Sequence, residues 1–339
     1  MNESRFLVTG GAGFIGSELV RQLATPYACV TVVDNLVNGT RENLAGVLSS
    51  RVELVVADIR DRQQMAELLR GVDIVFHLAC LGVRHSVHSP HENHEVNATA
   101  TLHLLSAARS AGVQRFVYVS SSEVYGTARW APMNEDHPTC PCTVYGASKL
   151  AGECYTRAFF TTYDLPTVVV RPFNTYGPRC HHEGDSGEVI PRFMLRTLAG
   201  KPMVVFGDGS QTRDFTYVTD TARGIIDAGT NPQAQGHTIN LGAGSEITIN
   251  ELAGQVAAAV GCPPADVIHD NPRPGDVLRL FADTTRARRL LGFEPRVCLR
   301  EGLEELRQWY AGQPRSPQEL LEEEVLHNWK PSTVGAVNG

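Results

Sequence analysis

The chain has 339 residues, 42% of them hydrophobic, and a net charge of −7. That length holds about two to three domains' worth of core, and the composition is that of an ordinary globular protein. The acidic balance argues against a general nucleic-acid or membrane-surface binder, though not against a local cationic pocket. No apolar run approaches a membrane span and the N-terminus lacks a signal-peptide core, which points to the cytoplasm. The eight cysteines are scattered with no CxxC spacing, so free thiols in a reducing compartment are expected, Cys140-Pro141-Cys142 included.

Phe6-Leu7-Val8 reads as a buried strand, and Ser17 to Leu23 has apolar residues at helical spacing. Between them lies Thr9-Gly10-Gly11-Ala12-Gly13-Phe14-Ile15-Gly16. A glycine turn from strand to helix lets backbone approach a pyrophosphate, and the helix N-terminus presents free N–H groups to it. Val30 to Val33 reads as a second strand, and Asp34 ends it. A carboxylate there accepts hydrogen bonds from ribose hydroxyls and repels a 2′-phosphate, which selects NAD over NADP.

Asn35 to Thr40 is rich in turn residues. Leu54 to Ala57 reads as a third strand, ending at Asp58, which is placed to accept from an adenine amino group, and Ile59, placed to pack on its ring. Ile74 to Ala79 is a fourth strand, with Leu78 and Ala79 at the edge where ligands sit in open α/β sheets. His85, His88, His91 and His94 are evenly spaced, but Pro90 breaks any continuous helix, so a polar loop rim is expected and no metal site. Val96 to Ala111 has helical spacing, and Phe116 to Val119 and Thr167 to Val170 are further strands.

Strands alternating with amphipathic helices mean an α/β fold, a doubly wound parallel sheet of the Rossmann kind. The alternation loosens after Arg171. Gly177 to Gly187 reads as a loop, Val189 to Leu198 as a helix and Met203 to Phe206 as a short strand. Thr238 to Gly242 resembles a late sheet strand, Asn250 caps a helix after it, and the chain is irregular from Cys262 through Arg273-Pro274-Gly275-Asp276. Thr284 to Leu291 and Leu303 to Trp309 are helical. The expected division is a nucleotide-binding part from residues 1–171 and 214–260, and a smaller discontinuous substrate-binding lobe from 172–213 and 261–313. Residues 314–339 form a tail, frayed at Gly335 to Gly339.

The chemical signal is Tyr145-Gly146-Ala147-Ser148-Lys149. A spacing of four puts Tyr145 and Lys149 on one helix face. A free phenol has a pKa of about 10, and a neighbouring ammonium together with a positive nicotinamide ring favours its phenolate. Lys149 can also hold the nicotinamide ribose hydroxyls. Ser120-Ser121-Ser122-Glu123 comes after the fifth strand and brings hydroxyls to the same sheet edge.

Together these stretches resemble the extended short-chain dehydrogenase/reductase family of nucleotide-sugar epimerases, dehydratases and decarboxylases, over nearly the whole chain. Arg171 to Arg179, Gly207 to Phe215 and Arg273 to Asp276 carry the likeness further. The resemblance implies catalysis by Ser121, Tyr145 and Lys149, with NAD held by Gly10, Gly13, Phe14, Ile15, Gly16, Asp34, Asn35, Asp58, Ile59, Leu78, Ala79, Asn97, Tyr145 and Lys149. It implies that Asn174, Arg213 and Arg273 hold the substrate's diphosphate, with Arg84, Ser86, Ser121, Ser122 and Arg179 also meeting substrate. A homodimer is implied as well. Where the family's dehydratases have Asp-Glu, this chain has Ser122-Glu123, which disfavours dehydration while Glu123 keeps it and decarboxylation open. His77 to Ser86 is similar to the corresponding stretch of UDP-glucuronate 4-epimerases, with His85 in place of a tyrosine. The expected activity is therefore a UDP-sugar 4-epimerase acting on UDP-glucuronate. A non-catalytic NAD sensor on the same fold is the reading outside enzymology.

Overall fold

Seven parallel strands form the central sheet: β1 (Ser4–Thr9), β2 (Ala28–Asp34), β3 (Val52–Val56), β4 (Ile74–His77), β5 (Arg115–Val119), β6 (Thr167–Pro172) and β7 (Thr238–Leu241). Their order is β3-β2-β1-β4-β5-β6-β7. This computed structural model describes residues 4–184, 186–273, 277–327 and 329. The principal helices are α1 (Phe14–Leu23), α2 (Ala100–Ala111), α3 (Val144–Tyr163), α4 (Val189–Leu198), α5 (Val218–Thr230), α6 (Ile249–Val260) and α7 (Leu299–Ala311).

The sheet is covered on both faces. Val8, Val32, Phe76 and Val117 point to one side, where they pack with Leu19, Val20 and Leu23 of α1 and with Ala222 and Ile225 of α5. Leu7, Val33, Val75 and Phe116 point to the other, against Leu104, Leu105 and Ala108 of α2 and Phe159 of α3. Neighbouring residues on a strand face opposite sides, so a strand buried on both must be apolar throughout. The strand order reverses between β1 and β4, and the crevice outside their C-terminal ends is where such sheets bind ligands.

The second lobe joins short strand pairs to helices. Asn174–Tyr176 pairs with Phe215–Tyr217, and Met203–Phe206 pairs in parallel with Val267–Asp270. Its core takes Phe193 and Met194 from α4, Leu252 and Val256 from α6, and Leu303 and Leu306 from α7. Helix α1 serves both halves: Phe14 sits in the lobe core, Leu19 and Val20 in the sheet core, and Ile15 touches both.

Several expectations change. Helix α6, grouped by sequence with the nucleotide-binding sheet, turns its apolar face into the lobe core. The helix Thr285–Leu291 and the nearby Phe293, grouped with the lobe, pack Ala287 and Phe293 on the sheet. In the expected tail, Pro317–Leu321 is a helix with a Ser316–Glu319 capping box, and Leu320 and Leu321 enter the lobe core. Helix α6 is capped by Thr248, whose hydroxyl meets the Glu251 amide; Asn250 instead donates to Asp208 O at 2.8 Å. Val267–Asp270, expected to be irregular, is a strand. The helix expected to start at Val96 opens with a π turn at Glu95–Thr99. Pro274 to Asp276 and Gly335 to Gly339 lie outside the described residues.

A buried ion pair fixes α3. Arg171, at the end of β6, donates from Nε to Glu153 Oε1 at 2.8 Å and from Nη2 to Oε2 at 2.6 Å. Arg171 also donates to the Tyr125 hydroxyl at 2.8 Å, and that hydroxyl donates to Asn240 Oδ1 of β7 at 2.7 Å. Burial pushes the Glu153 carboxyl up, but the two Arg171 bonds outweigh it and hold the group below the usual carboxylate range. Glu153→Ala should lower the unfolding free energy by about 3–5 kcal/mol, because it strands a buried guanidinium. Urea denaturation at neutral pH measures this. A depressed carboxylate stabilises fully above its unfolded pKa, so the gap between the two proteins should narrow as pH falls below 4.5 and through the folded value.

Candidate active site

Geometry at Gly10 and Gly16 of the turn admits no side chain. Gly10 has φ +70°, and a Cβ there would lie 2.7 Å from Ala79 N. At Gly16 a Cβ would lie 2.1 Å from Gly10 O. The turn is therefore pressed against the end of β4 and beneath its own helix. Gly13 is the residue before the first turn of α1, whose leading amides have no acceptor within the helix. Asp34 orders the turn from β2: its Oδ2 accepts from Ala12 N at 3.0 Å and its Oδ1 from Leu36 N at 2.9 Å. Burial raises the Asp34 pKa, and these two bonds oppose the rise. Asn35 donates to Asp58 at 3.3 Å. Arg60, which sequence reasoning missed, grips both Asp58 oxygens at 3.0 and 2.7 Å and holds that carboxyl below its ordinary range.

Helix α3 starts where the Thr143 hydroxyl accepts from Gly146 N at 3.0 Å, which sets Tyr145 and Lys149 one turn apart. Lys149 is almost wholly buried, donates from Nζ to Val119 O at 2.6 Å and lies 4.6 Å above the Tyr118 ring. Burial draws its pKa down. Tyr145 stands one turn before Lys149 on this helix. Burial and the neighbouring Cys80 push the phenol well above 10, and a hydrogen bond with Ser121 works the other way. Desolvation of the anion is the largest of these effects. Ser121 also accepts from Glu123 N at 3.2 Å, closing the turn after β5.

One cavity of about 890 Å³ runs from the glycine turn past Tyr145, Lys149, Ser121 and Ser122 to Asn174, Arg213 and Arg273. Asp34, Asn35, Asp58, Ile59, Leu78, Ala79 and Arg84 line it too. Asn174 Oδ1 is buried there with no hydrogen-bond partner, as suits a group awaiting a ligand's donor. Arg213 donates to Thr212 O at 2.8 Å and Val277 O at 2.6 Å, so its guanidinium is fixed from behind. Arg273 lies 5.3 Å from the Phe206 ring centre. The glycine cradle, two carboxylates for ribose and adenine, and a buried lysine beside a tyrosine fit a bound NAD.

Three expected residues lie off this wall. Asn97 is a clamp: its side chain accepts from Leu81 N at 2.8 Å and donates to Leu81 O at 2.9 Å. Ser86 donates to Val83 O at 2.7 Å within its own helix. Arg179 donates to Glu18 of α1 at 2.6 Å. Conversely, the wall includes Cys80, His181, Glu188, Arg196, Phe206 and Glu324, for which spacing gave no signal. Among these, burial pushes the Glu188 carboxyl up to about 7.

The family described as GDP-mannose 4,6 dehydratase matches residues 7–306. The chain is 41% identical to the UDP-glucose 4-epimerase of Mycolicibacterium smegmatis, across 88% of this chain and 96% of that one. Among solved structures, the dTDP-glucose 4,6-dehydratase of Streptomyces venezuelae with NAD and TYD bound superposes with a TM-score of 0.84 at 36% identity, over 91% of this chain and 97% of that one. The UDP-glucuronic acid 4-epimerase of Bacillus cereus, solved with UDP-glucuronic acid and NAD, gives 0.84 at 32% identity over 90% and 98%. A glycine cradle under a Tyr–Lys pair, matched along nearly its full length, makes this chain a member of the GDP-mannose 4,6 dehydratase family, within the extended short-chain dehydrogenase/reductases that work on nucleotide sugars.

Proposed function

We propose that this protein is an NAD-dependent UDP-sugar 4-epimerase, with UDP-glucuronate and UDP-galacturonate as the substrate pair. The observation carrying the reading is one cavity whose walls bear Tyr145, Ser121 and Lys149 at its middle, the glycine turn on one side and Asn174, Arg213 and Arg273 on the other. Forked guanidiniums suit diphosphate oxygens. Ser122 in place of an acid favours epimerisation over loss of water. Arg84 lines the cavity and supplies a cation for a sugar carboxylate, with the His85 and His88 rings beside it on the wall.

Bound NAD would supply the acceptor for the C4 hydride, return it, and add a positive ring beside the phenol. Tyr145 takes the proton of the sugar's 4-hydroxyl and later gives it back, a general base and then a general acid. Ser121, bonded to Tyr145, donates to the same oxygen. Lys149, anchored on Val119 O, sets the phenol's surroundings and reaches the nicotinamide ribose hydroxyls. Between the two transfers the 4-keto sugar turns about its tethered diphosphate. The C5–C6 bond must stay out of line with the ketone π system, or a β-keto acid would lose carbon dioxide.

Glu123, on the cavity wall and close enough to raise the Tyr145 pKa, favours a second reading as decarboxylase or dehydratase. A non-catalytic NAD sensor has no use for the phenol and the arginines together. A cytoplasmic homodimer through sheet-flanking helices completes the proposal.

Mass spectrometry of the product from UDP-glucuronate should show unchanged mass, proton NMR should show an inverted C4, and turnover should need no added NAD. Loss of carbon dioxide or of water would replace the assignment. Tyr145→Phe should reduce turnover by at least about 10²-fold while UDP-sugar affinity stays within about twofold. Surviving turnover with lost affinity would mean the base is misassigned.

A further inference from the structure

We propose that residues 322–327 and 329 wall off the nucleoside end of the substrate cavity, with Trp329 a positioning residue that buttresses Phe206 and Arg273, the groups that meet the base. This rests on the nucleotide-sugar reading and deepens it. Leu320 and Leu321 already complete the lobe core, so the residues after them are not needed to fill it.

The segment is nonetheless tied down at four places. Gly184 N donates to Glu323 O at 2.8 Å, joining it to the loop that leads into α4. Arg196 of α4 holds Glu324 at 2.7 Å, with both side chains largely out of solvent. Arg192, also of α4, donates to Val325 O at 2.6 Å. His327 Nε2 lies 2.8 Å from Asp270 Oδ2 at the end of the strand beside Met203–Phe206. These ties lay Glu324 and Leu326 on the cavity wall.

They also bring the Trp329 ring edge-on to Phe206, with ring centres 4.8 Å apart. The Arg273 guanidinium lies 5.3 Å from the Phe206 ring and 5.4 Å from the Trp329 ring. A cation held between two rings is oriented and partly desolvated, which sharpens its pull on a phosphate. Phe206 then offers a flat apolar surface beyond the diphosphate, and bases stack on such surfaces whatever their edges carry. A substrate with its sugar at Tyr145 and its diphosphate at Arg213 and Arg273 has only this end left for its base. Trp329 fixes both Phe206 and Arg273 from outside.

The test measures UDP binding by calorimetry and sugar-nucleotide turnover for wild type, Trp329→Ala and a chain ending at Glu322, which keeps Leu320 and Leu321. Both variants should bind UDP at least tenfold more weakly and show a matching rise in KM. Their kcat should stay within twofold and their NAD content should be unchanged, because the cradle lies at the other end. Wild-type UDP affinity and KM in Trp329→Ala would overturn the proposal even if the shortened chain fails to fold. Joint loss of kcat, NAD and thermal stability would also overturn it, since that marks a structural prop. A wild-type protein that binds no UDP and turns over no sugar nucleotide would instead overturn the functional reading, and this proposal with it.

Discussion

The two hydrogen bonds between Arg171 and Glu153 set the position of the helix on which the chemistry stands. Burying a guanidinium and a carboxylate is expensive unless both are well paired, so the arrangement tolerates little displacement. Arg171 reaches on to Tyr125, four residues past Ser121, and Tyr125 reaches Asn240 in β7. Lys149, one turn before Glu153, is tied to Val119 at the end of β5. The helix with Tyr145 and the turn with Ser121 are thus registered on three adjacent strands by Lys149 and by four groups off the cavity wall, Arg171, Glu153, Tyr125 and Asn240. Precise placement of a base relative to a reacting carbon is worth orders of magnitude in rate, and under the proposed function this buried network would supply it.

Charge is graded along the cavity. Asp34 and Asp58 stand at one end, and Arg213 and Arg273 at the other, with Lys149 between them. The acidic end suits ribose hydroxyls and an amino group and disfavours extra phosphate. The cationic end suits a diphosphate. Under the proposed function, two ligands that both contain nucleotides would be sorted to opposite ends of one space, although the molecule as a whole carries −7. Net charge describes the envelope and says little about the cleft.

Local patterns were readable in the sequence and remote partnerships were not. The seven sheet strands are apolar runs because both faces are covered, and the glycine turn and the Tyr–Lys spacing are short-range features. Val267–Asp270 is hard to read as a strand because it is half exposed and its neighbours in sequence look irregular. Arg179 lies in a stretch that resembles a substrate motif, but its fate was decided by Glu18, far away in the chain. Asn97 likewise holds Leu81 rather than a ligand. The Tyr145 pKa is governed by burial, which no spacing reveals. Helix α6 carries apolar residues that would suit either core, and only the assembled lobe decides which one takes them.

Helix α1 belongs to two cores at once, with Phe14 lodged in the lobe while Leu19 and Val20 sit under the sheet. Swinging one half away from the other would pull that phenyl ring out of its socket and break the Arg179–Glu18 tie. A wide, jaw-like gape is therefore closed to this architecture. Access to the cleft is left to small displacements of its rim.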